Sequence, residues 1–443
     1  MILLINPKTT KPTETQTEFF REPNLGILYL AAILDQHDIN VDILDLEQYY
    51  DYTERALESI LKKKIKKFNL FGITSLTNTF NFTLKIAKII KKSNPDNIIV
   101  YGGPHVSFQY RDILKSEKAI DFICVGESED SFLSLSKILM KVINKSKGFR
   151  DIEQELKKVK GIAYLDSKNK LIFTGYPQPV DINTIPLPAR YKLSQENYYY
   201  KVANLIINRG CPYQCSFCSR QNLFKKIRIR NISSIFSEIQ DIILMQTYDY
   251  INFYDNINID KKFFKEFCRI FINNNITIPW GCELRVDNIS EEDAHLLKQA
   301  GCKLIATGIE SASTEVLHKN LKYQEPKKVK TGIQYLKEEG IPIQAYFVLG
   351  LPGETQLTFQ KTIQFIKDLP FDKNDKINYF VATPYPGSRL WEEQEYFKIK
   401  IFEKDLAKYD CQHIIFETQD LDISTLEELY LTAKEIENYF QVR

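Results

Sequence analysis

Short apolar, β-branched runs alternate with longer helical patterns along most of the chain, and this alternation restricts the fold more than any other feature. Five such runs lie in the first 145 residues, at residues 1–5, 41–46, 68–75, 97–103 and 121–127. Between them, apolar residues recur at three- and four-residue intervals, as in amphipathic helices. Strands that alternate with helices form parallel sheets covered by helices. We therefore predict a doubly wound, Rossmann-like α/β domain over residues 1–145.

A second series of strand-like runs begins near residue 203. Its six runs lie at residues 203–210, 250–256, 278–284, 303–311, 343–350 and 377–385. Helical patterns of ten or more residues separate them, which predicts a partial or full (β/α)6 barrel over residues 201–390. The lysine- and proline-rich residues 146–200 contain two short strand-like runs, at residues 161–165 and 170–175, and are predicted to form a linker or bracing segment. Residues 391–443 are predicted to form a C-terminal helical cap.

Charge and composition exclude several classes of function. The 59 basic and 57 acidic residues leave a formal net charge of +2, which gives no global attraction to nucleic acid or to a membrane surface. No stretch approaches the ~18 unbroken apolar residues of a membrane span, and the start of the chain lacks a signal-peptide pattern. We therefore expect a cytoplasmic protein without a membrane or nucleic-acid partner, in which the eight cysteines stay reduced.

Three of the eight cysteines stand within eight residues of each other. Cys211, Cys215 and Cys218 follow the first strand of the second series in the spacing C-x3-C-x2-C. Three thiolates on one loop can hold three irons of a [4Fe–4S] cluster and leave the fourth iron open for a substrate or cofactor. The alternative is a Cys3His zinc site. None of the five histidines lies within twenty residues of the three cysteines, so the spacing favours the cluster.

The predicted carboxyl ends of the first five strands are polar and rich in glycine. Ligands of doubly wound sheets bind beyond these ends. The candidate ligand-binding residues there are Asn6, Thr74, Ser75, Leu76, Gly102, Gly103, His105, Gly126 and Glu127.

The cysteine spacing, with Phe217 before the last cysteine, resembles the signature of the radical S-adenosylmethionine (SAM) superfamily. The resemblance covers residues 195–395 and continues at the ends of the later strands, with Tyr254, Asp255, Arg285, Glu310, Ser311, Gly350 and the segment 384–388. It implies that Cys211, Cys215 and Cys218 hold a [4Fe–4S] cluster and that the later residues bind SAM. Glu310 would hold its ribose or amino group and Arg285 its carboxylate. A helix cap for Glu310 and a surface ion pair for Arg285 are the simpler alternatives.

The first domain is similar to the cobalamin-binding domain of class B radical SAM enzymes. The similarity rests on NLGILYLAAIL, GITSLTNTF, YGGPHVSF and VGESE, with departures at Ser128 and at Pro23–Asn24. A flat macrocycle needs residues without bulk, which Gly102 and Gly103 supply, although a tight turn at positive φ would also use glycine. The loop at residues 6–24 contains no histidine. We therefore predict cobalt without a histidine ligand and with Leu76 or a neighbour facing its lower side.

Together these resemblances imply a C-methyltransferase. A reduced cluster would cleave SAM to a 5′-deoxyadenosyl radical, the radical would abstract hydrogen from an unactivated carbon, and methylcobalamin would donate the methyl group. The implied partners are a small-molecule or peptide substrate and an electron donor such as flavodoxin or ferredoxin. The alternatives are a cobalamin-assisted cyclisation or rearrangement and a non-enzymatic cobalamin-binding protein, although a binder has no need of three close thiols.

Overall fold

The computed structural model describes residues 1–9, 22–49, 52–144, 148–196, 198 and 200–441. The chain forms two compact units. The first contains residues 1–200 and 223–226, and the second contains residues 201–222 and 227–443. Across the described ranges, no helix has the length and apolar character that a membrane crossing requires.

A seven-stranded sheet forms the centre of the first unit, in the order β2-β1-β3-β4-β5-β6-β7. The strands are β1 (Ile2–Asn6), β2 (Val41–Asp45), β3 (Leu70–Thr74), β4 (Ile98–Gly102), β5 (Phe122–Cys124), β6 (Ile162–Leu165) and β7 (Leu171–Phe173). The helices are α1 (Leu25–Gln36), α2 (Glu54–Lys64), α3 (Phe80–Ser93), α4 (Pro104–Ser116), α5 (Glu129–Ile143) and α6 (Phe149–Leu156).

The first five strands are parallel, and this confirms the predicted doubly wound fold. All five residues of β1 are buried, as expected for a strand covered on both faces. The strand order reverses at β1, which lies between β2 and β3. In folds of this type the ligand crevice opens at such a reversal, beyond the carboxyl ends of the strands.

The segment predicted as a linker, residues 146–200, belongs to the first unit. It contributes α6 and the antiparallel strands β6 and β7, and β6 pairs with the edge strand β5. Both strands fall on runs that are strand-like in the sequence, but nothing in these runs shows which strand they pair with. Pairing with an existing sheet edge supplies the hydrogen bonds that make them strands.

Six parallel strands form the main sheet of the second unit, in the order β15-β14-β13-β12-β11-β8. Its strands are β8 (Val202–Leu205), β9 (Asn208–Arg209), β10 (Arg228–Ile229), β11 (Tyr250–Asn256), β12 (Trp280–Glu283), β13 (Cys302–Glu310), β14 (Ile343–Leu349), β15 (Lys376–Val381), β16 (Ile399–Ile401) and β17 (Phe416–Thr418). Its helices are α7 (Arg220–Leu223), α8 (Ile232–Met245), α9 (Lys261–Asn273), α10 (Glu291–Gln299), α11 (Thr314–Lys319), α12 (Pro326–Glu338), α13 (Gln356–Lys367), α14 (Arg389–Glu392), α15 (Gln394–Phe397) and α16 (Ile423–Gln441).

This sheet follows the chain order strand by strand, as in a barrel. Within the described residues its end strands β8 and β15 do not pair, so the barrel is partial. Helix α16 covers part of the sheet, because Leu426, Leu429, Ala433 and Phe440 join the main core. The predicted cap thus contains this helix, and it also contains the antiparallel pair β16–β17.

Candidate cluster and cofactor sites

The three predicted cluster ligands lie on the loop between β9 and α7. The loop begins at Gly210, whose φ of +88° is a left-handed conformation that glycine adopts without strain. Ser216 fixes its centre: its backbone N–H donates to the carbonyl oxygen of Asn320 at 2.9 Å, and its hydroxyl donates to Asn320 Oδ1 at 2.8 Å. Asn320 Nδ2 in turn donates to the carbonyl oxygen of Pro352. The loop is therefore held by elements at the ends of later strands.

The three thiols lie close enough to one another to interact electrostatically. Burial raises the pKa of Cys215 to about 11, and neighbouring Cys211 and Cys218 raise it further, while Lys322 lowers it. Burial also raises the pKa of Cys218, although this residue keeps solvent-accessible surface. The Cys215 thiol therefore stays protonated at neutral pH unless a bound cation stabilises the thiolate.

The arrangement of the three thiols indicates whether they fit a single metal ion or a metal cluster. Within the residues that the structure describes, no three Cys, His, Asp or Glu side chains are arranged around a single ion. A [4Fe–4S] cluster binds each thiolate through a different iron, so its ligands need not converge on one atom. The donor set of three thiols on one anchored loop therefore fits the cluster.

Two carboxylates predicted to bind SAM lie on β11 and β13, the two strands that flank β12, and each has a cationic partner. Asp255 on β11 pairs with Arg220 and accepts the backbone N–H groups of Ile207 and Asn208 at 2.6 and 3.1 Å. Glu310 on β13 pairs with Lys322 at 2.6 Å. Its φ of +64° is a left-handed conformation, uncommon for glutamate.

Arg285 follows β12 and contacts the cysteine loop. Its guanidinium pairs with Asp287 at 2.6 Å, donates to the carbonyl oxygen of Tyr323 at 2.7 Å and stacks over the ring of Tyr213 at 4.2 Å. Because Arg285 is only 9% exposed, a surface ion pair is the wrong interpretation of this residue.

A carboxyl group that the sequence analysis did not select lies near these residues. Glu283 ends β12, and burial, with the charges of Asp255 and Glu310, raises its pKa to about 7, although Arg220 lowers it. Burial of the Tyr346 hydroxyl raises the pKa of this half-buried residue, and the charge of Glu283 raises it further. The available signal was its position at a strand end, two residues before Arg285.

The remaining predicted SAM-binding residues differ in exposure. Ser311 is buried and its hydroxyl is 3.3 Å from that of Thr362. Gly350 has a φ of +83° and donates its N–H to Glu354. Phe217 packs against a satellite apolar cluster, whereas Tyr254 is 39% exposed. Exposure at a strand end leaves the ring of Tyr254 accessible to a ligand.

The carboxyl ends of β3 and β4 meet at the glycine pair of the first unit. Ser75, which follows Thr74 at the end of β3, donates its N–H to the carbonyl oxygen of Gly102 at 2.9 Å. Gly103 has a φ of +103°, and a Cβ there would lie 2.6 Å from the Ser75 carbonyl oxygen. A Cβ on Gly102 would meet nothing closer than 4.0 Å. The turn therefore requires Gly103, while Gly102 leaves open space beside the strand end.

The other predicted residues of this edge vary in accessibility. Leu76 is 46% exposed, whereas Asn6 and Glu127 are buried. Asn6 donates to Asp45 Oδ1 at 2.8 Å, and the N–H of Gly126 donates to Ser107. The open side chain of Leu76 agrees with its predicted position facing a ligand.

His105 lies in the first turn of α4. It is buried, its Nδ1 is 3.2 Å from the Thr77 hydroxyl, and its ring lies 4.7 Å from that of Phe80. Burial lowers its pKa to about 4, so the imidazole is neutral at physiological pH. The ring therefore packs within the first unit, and the role of His105 in ligand binding stays a prediction. The absence of a histidine ligand to cobalt stays a prediction, and residues 10–21 of the relevant loop lie outside the described residues.

Comparison with known proteins connects both sites to one family. The B12 binding domain matches residues 19–136, and the Radical SAM superfamily matches residues 205–366. The chain is 30% identical to an uncharacterized methyltransferase, PH0819, of Pyrococcus horikoshii, over 84% of this chain and 78% of that protein. The chain belongs to the cobalamin-binding radical SAM enzymes. It is also 30% identical to the anaerobic magnesium-protoporphyrin IX monomethyl ester cyclase of Rubrivivax gelatinosus, over 90% of this chain and 71% of the cyclase.

Solved structures show the same fold at low sequence identity. The radical SAM methyltransferase TsrM of Kitasatospora setae superposes with a TM-score of 0.73 at 16% identity, covering 97% of this chain and 88% of that chain. The cobalamin-dependent radical SAM enzyme OxsB reaches a TM-score of 0.72 at 16% identity, covering 99% and 66%. The cofactors of this cobalamin-binding radical SAM enzyme are cobalamin, SAM and a [4Fe–4S] cluster.

Proposed function

We propose that this cobalamin-binding radical SAM enzyme methylates an unactivated carbon of a small-molecule or peptide substrate. The observation that carries the proposal is the near full-length similarity to a relative named as a methyltransferase. The cysteine loop and the polar edge of the first sheet support it, because a protein that only binds cobalamin has no use for the cysteine loop.

The second unit would bind the cluster and SAM. When bound, the cluster supplies the electron that cleaves SAM, and cobalamin supplies the methyl group. Cys211, Cys215 and Cys218 would hold the cluster. Arg285 would bind the SAM carboxylate, since Nη1 makes no hydrogen bond among the described residues while Nε and Nη2 hold Asp287. Burial of Arg285 strengthens such a charged contact by keeping water away.

The first unit would bind cobalamin through the ends of β3 and β4. Gly102 leaves the space that a macrocycle edge needs, and the Ser75 and Gly103 backbone fixes the shape of that edge. Leu76 would present an apolar side chain to the lower side of the corrin. An apolar contact there excludes water without supplying a ligand to cobalt.

A cyclase is the second candidate. The protoporphyrin cyclase of Rubrivivax gelatinosus is as similar to this chain as the methyltransferase relative, and the similarity covers slightly more of the chain. The two reactions differ in the fate of the SAM methyl group: a methyltransferase passes it to the product, and a cyclisation does not.

Deuterium labelling separates the two candidates. The protein, reconstituted anaerobically with iron, sulfide and cobalamin, is given SAM with a CD3 methyl group, a strong reductant and small-molecule or peptide fractions. The proposal predicts 5′-deoxyadenosine, S-adenosylhomocysteine and a product carrying CD3. 5′-Deoxyadenosine with an unlabelled product would favour the cyclase and contradict methyl transfer. Absence of SAM cleavage would contradict both.

Replacing the reductant with flavodoxin or ferredoxin tests the proposed electron donors.

A further inference from the structure

Arg220 stands two residues after the last cysteine of the loop, and neither the sequence analysis nor the family comparison gives it a role. Its Nη2 donates to the carbonyl oxygen and to Oδ1 of Asn208, both at 3.1 Å. The same nitrogen forms the ion pair with Asp255. Because Asp255 also accepts two backbone N–H groups of the β8–β9 connection, the guanidinium is fixed by the sheet.

The charge of Arg220 acts on the cysteine thiols. Its guanidinium is close enough to Cys211 and Cys218 to interact with their charges. Its backbone N–H interacts with the sulfur of Cys218. The Arg220 Nε is buried and has no hydrogen-bond partner among the residues that the structure describes. The fixed ion pair therefore leaves donor capacity and positive charge beside the cluster ligands.

Positive charge and N–H donors near the sulfurs of an iron–sulfur cluster raise its reduction potential, because the reduced cluster carries one more negative charge. We propose that Arg220, fixed by Asp255 and Asn208, is a positioning residue that raises the reduction potential of the cluster on Cys211, Cys215 and Cys218. The step concerned is the uptake of one electron from an external low-potential donor. The inference rests on the proposed cluster site and is independent of the methyl-transfer proposal.

A redox titration followed by electron paramagnetic resonance (EPR) tests this role in the full-length protein, reconstituted anaerobically without SAM. Arg220→Gln removes the charge and keeps an amide that can donate to Asp255, so we expect full iron content and a more negative midpoint potential. Arg220→Lys keeps the charge, so we expect a smaller shift. Lys265→Gln is the matched control, because Lys265 on α9 is also ion-paired, with Glu292 on α10 at 2.9 Å, and neither helix carries a cluster or SAM residue. We expect no shift in this control.

Asp255→Asn provides a second measurement with the opposite sign. It removes a negative charge near the cluster while keeping an oxygen that accepts the backbone N–H groups, so we expect a more positive midpoint potential. If both residues only maintained the shape of the loop, Arg220→Gln and Asp255→Asn would shift the potential in the same direction. That result, or an unchanged potential in either variant at full iron content, would overturn the inference. If Arg220→Gln does not assemble a cluster, the sign of the Asp255→Asn shift decides.

Failure of the inference and failure of the cluster assignment give different results. A wild-type protein that binds about four irons and cleaves SAM keeps the cluster assignment even if the variants leave the potential unchanged. A wild-type protein without iron removes the basis of both.

Discussion

At the residue scale, spacing identified the cluster ligands because the ligands are local in the sequence. Cys211, Cys215 and Cys218 occupy one loop, so the chain alone brings them together. Arg220 and Glu283 were missed because their properties come from residues that only the fold brings near, such as Asp255. The sequence alone does not show whether the guanidinium of an arginine or the carboxylate of a glutamate becomes buried in the fold.

The assignment of Cys211, Cys215 and Cys218 as the cluster ligands can be tested by substitution. Replacing Cys211, Cys215 and Cys218 with alanine is expected to remove all cluster iron and its visible absorbance, because the three ligating thiolates are lost. Cys124→Ala is the matched control, since this thiol is buried in β5 in the other unit. Iron content and absorbance after anaerobic reconstitution measure the result. Full iron content in the triple variant would contradict the assignment.

The buried carboxyl group of Glu354 is expected to make the stability of the protein depend on pH. Burial raises its pKa from 4.5 to about 8, and only the Gly350 N–H opposes this shift. Below pH 4.5 both the folded and unfolded chains hold the proton. Between pH 4.5 and 8 only the folded chain holds it, so this carboxyl makes the free energy of unfolding fall as pH rises, by a few kcal/mol at most. Above pH 8 its contribution is constant.

Glu354→Gln removes this titration and keeps an oxygen that can accept the Gly350 N–H. The cofactor-free variant is therefore expected to lose less Tm than the wild type when pH rises from 5 to 8. Glu338→Gln, at an exposed position at the end of α12, is the control and should follow the wild type. Equal pH profiles for Glu354→Gln and wild type would show that the buried carboxyl does not hold its proton.

At the element scale, the strands and helices were predictable, including the two short strand-like runs at residues 161–165 and 170–175, but the pairing of these runs with the first sheet was not. β1 and β4 each contain four consecutive buried apolar residues, at positions 2–5 and 98–101, and such runs indicate burial on both faces. β6 and β7 are shorter; β6 pairs with β5, which lies some forty residues earlier, and β7 joins the sheet only through β6. A strand of this kind depends on a non-local partner, which periodicity does not reveal.

The two glycines between β4 and α4 have different expected roles: the backbone turn requires Gly103, and Gly102 faces the proposed ligand. Gly103→Ala is expected to lower the free energy of unfolding by at least about 1–3 kcal/mol, because alanine is strained at a φ of +103° and its Cβ would clash with Ser75. Gly102→Ala is expected to leave the stability of the cofactor-free protein nearly unchanged and to weaken cobalamin binding. Thermal unfolding and cobalamin titration measure the two effects. Equal destabilisation by both substitutions would contradict this distinction.

At the scale of the whole molecule, the chain contains two compact units, each with an apolar core of its own. The sequence indicated two such regions because the strand–helix alternation stops near residue 145 and resumes near residue 203. It did not show that the intervening residues belong to the first unit, because their two short strands take part in its sheet only through non-local pairing.

Because each unit has an apolar core of its own, we expect the protein to take up the iron–sulfur cluster and cobalamin independently. Alanine at Cys211, Cys215 and Cys218 should remove iron and leave the affinity for cobalamin within about twofold of wild type, since the ends of β3 and β4 are unchanged. Gly102→Ala should weaken cobalamin binding and leave iron content unchanged. Iron analysis and cobalamin titration of the same two preparations provide the test. If either substitution abolished the uptake of both cofactors in a protein that still unfolds cooperatively, the two sites would be coupled, and the assignment of one cofactor to each unit would fail.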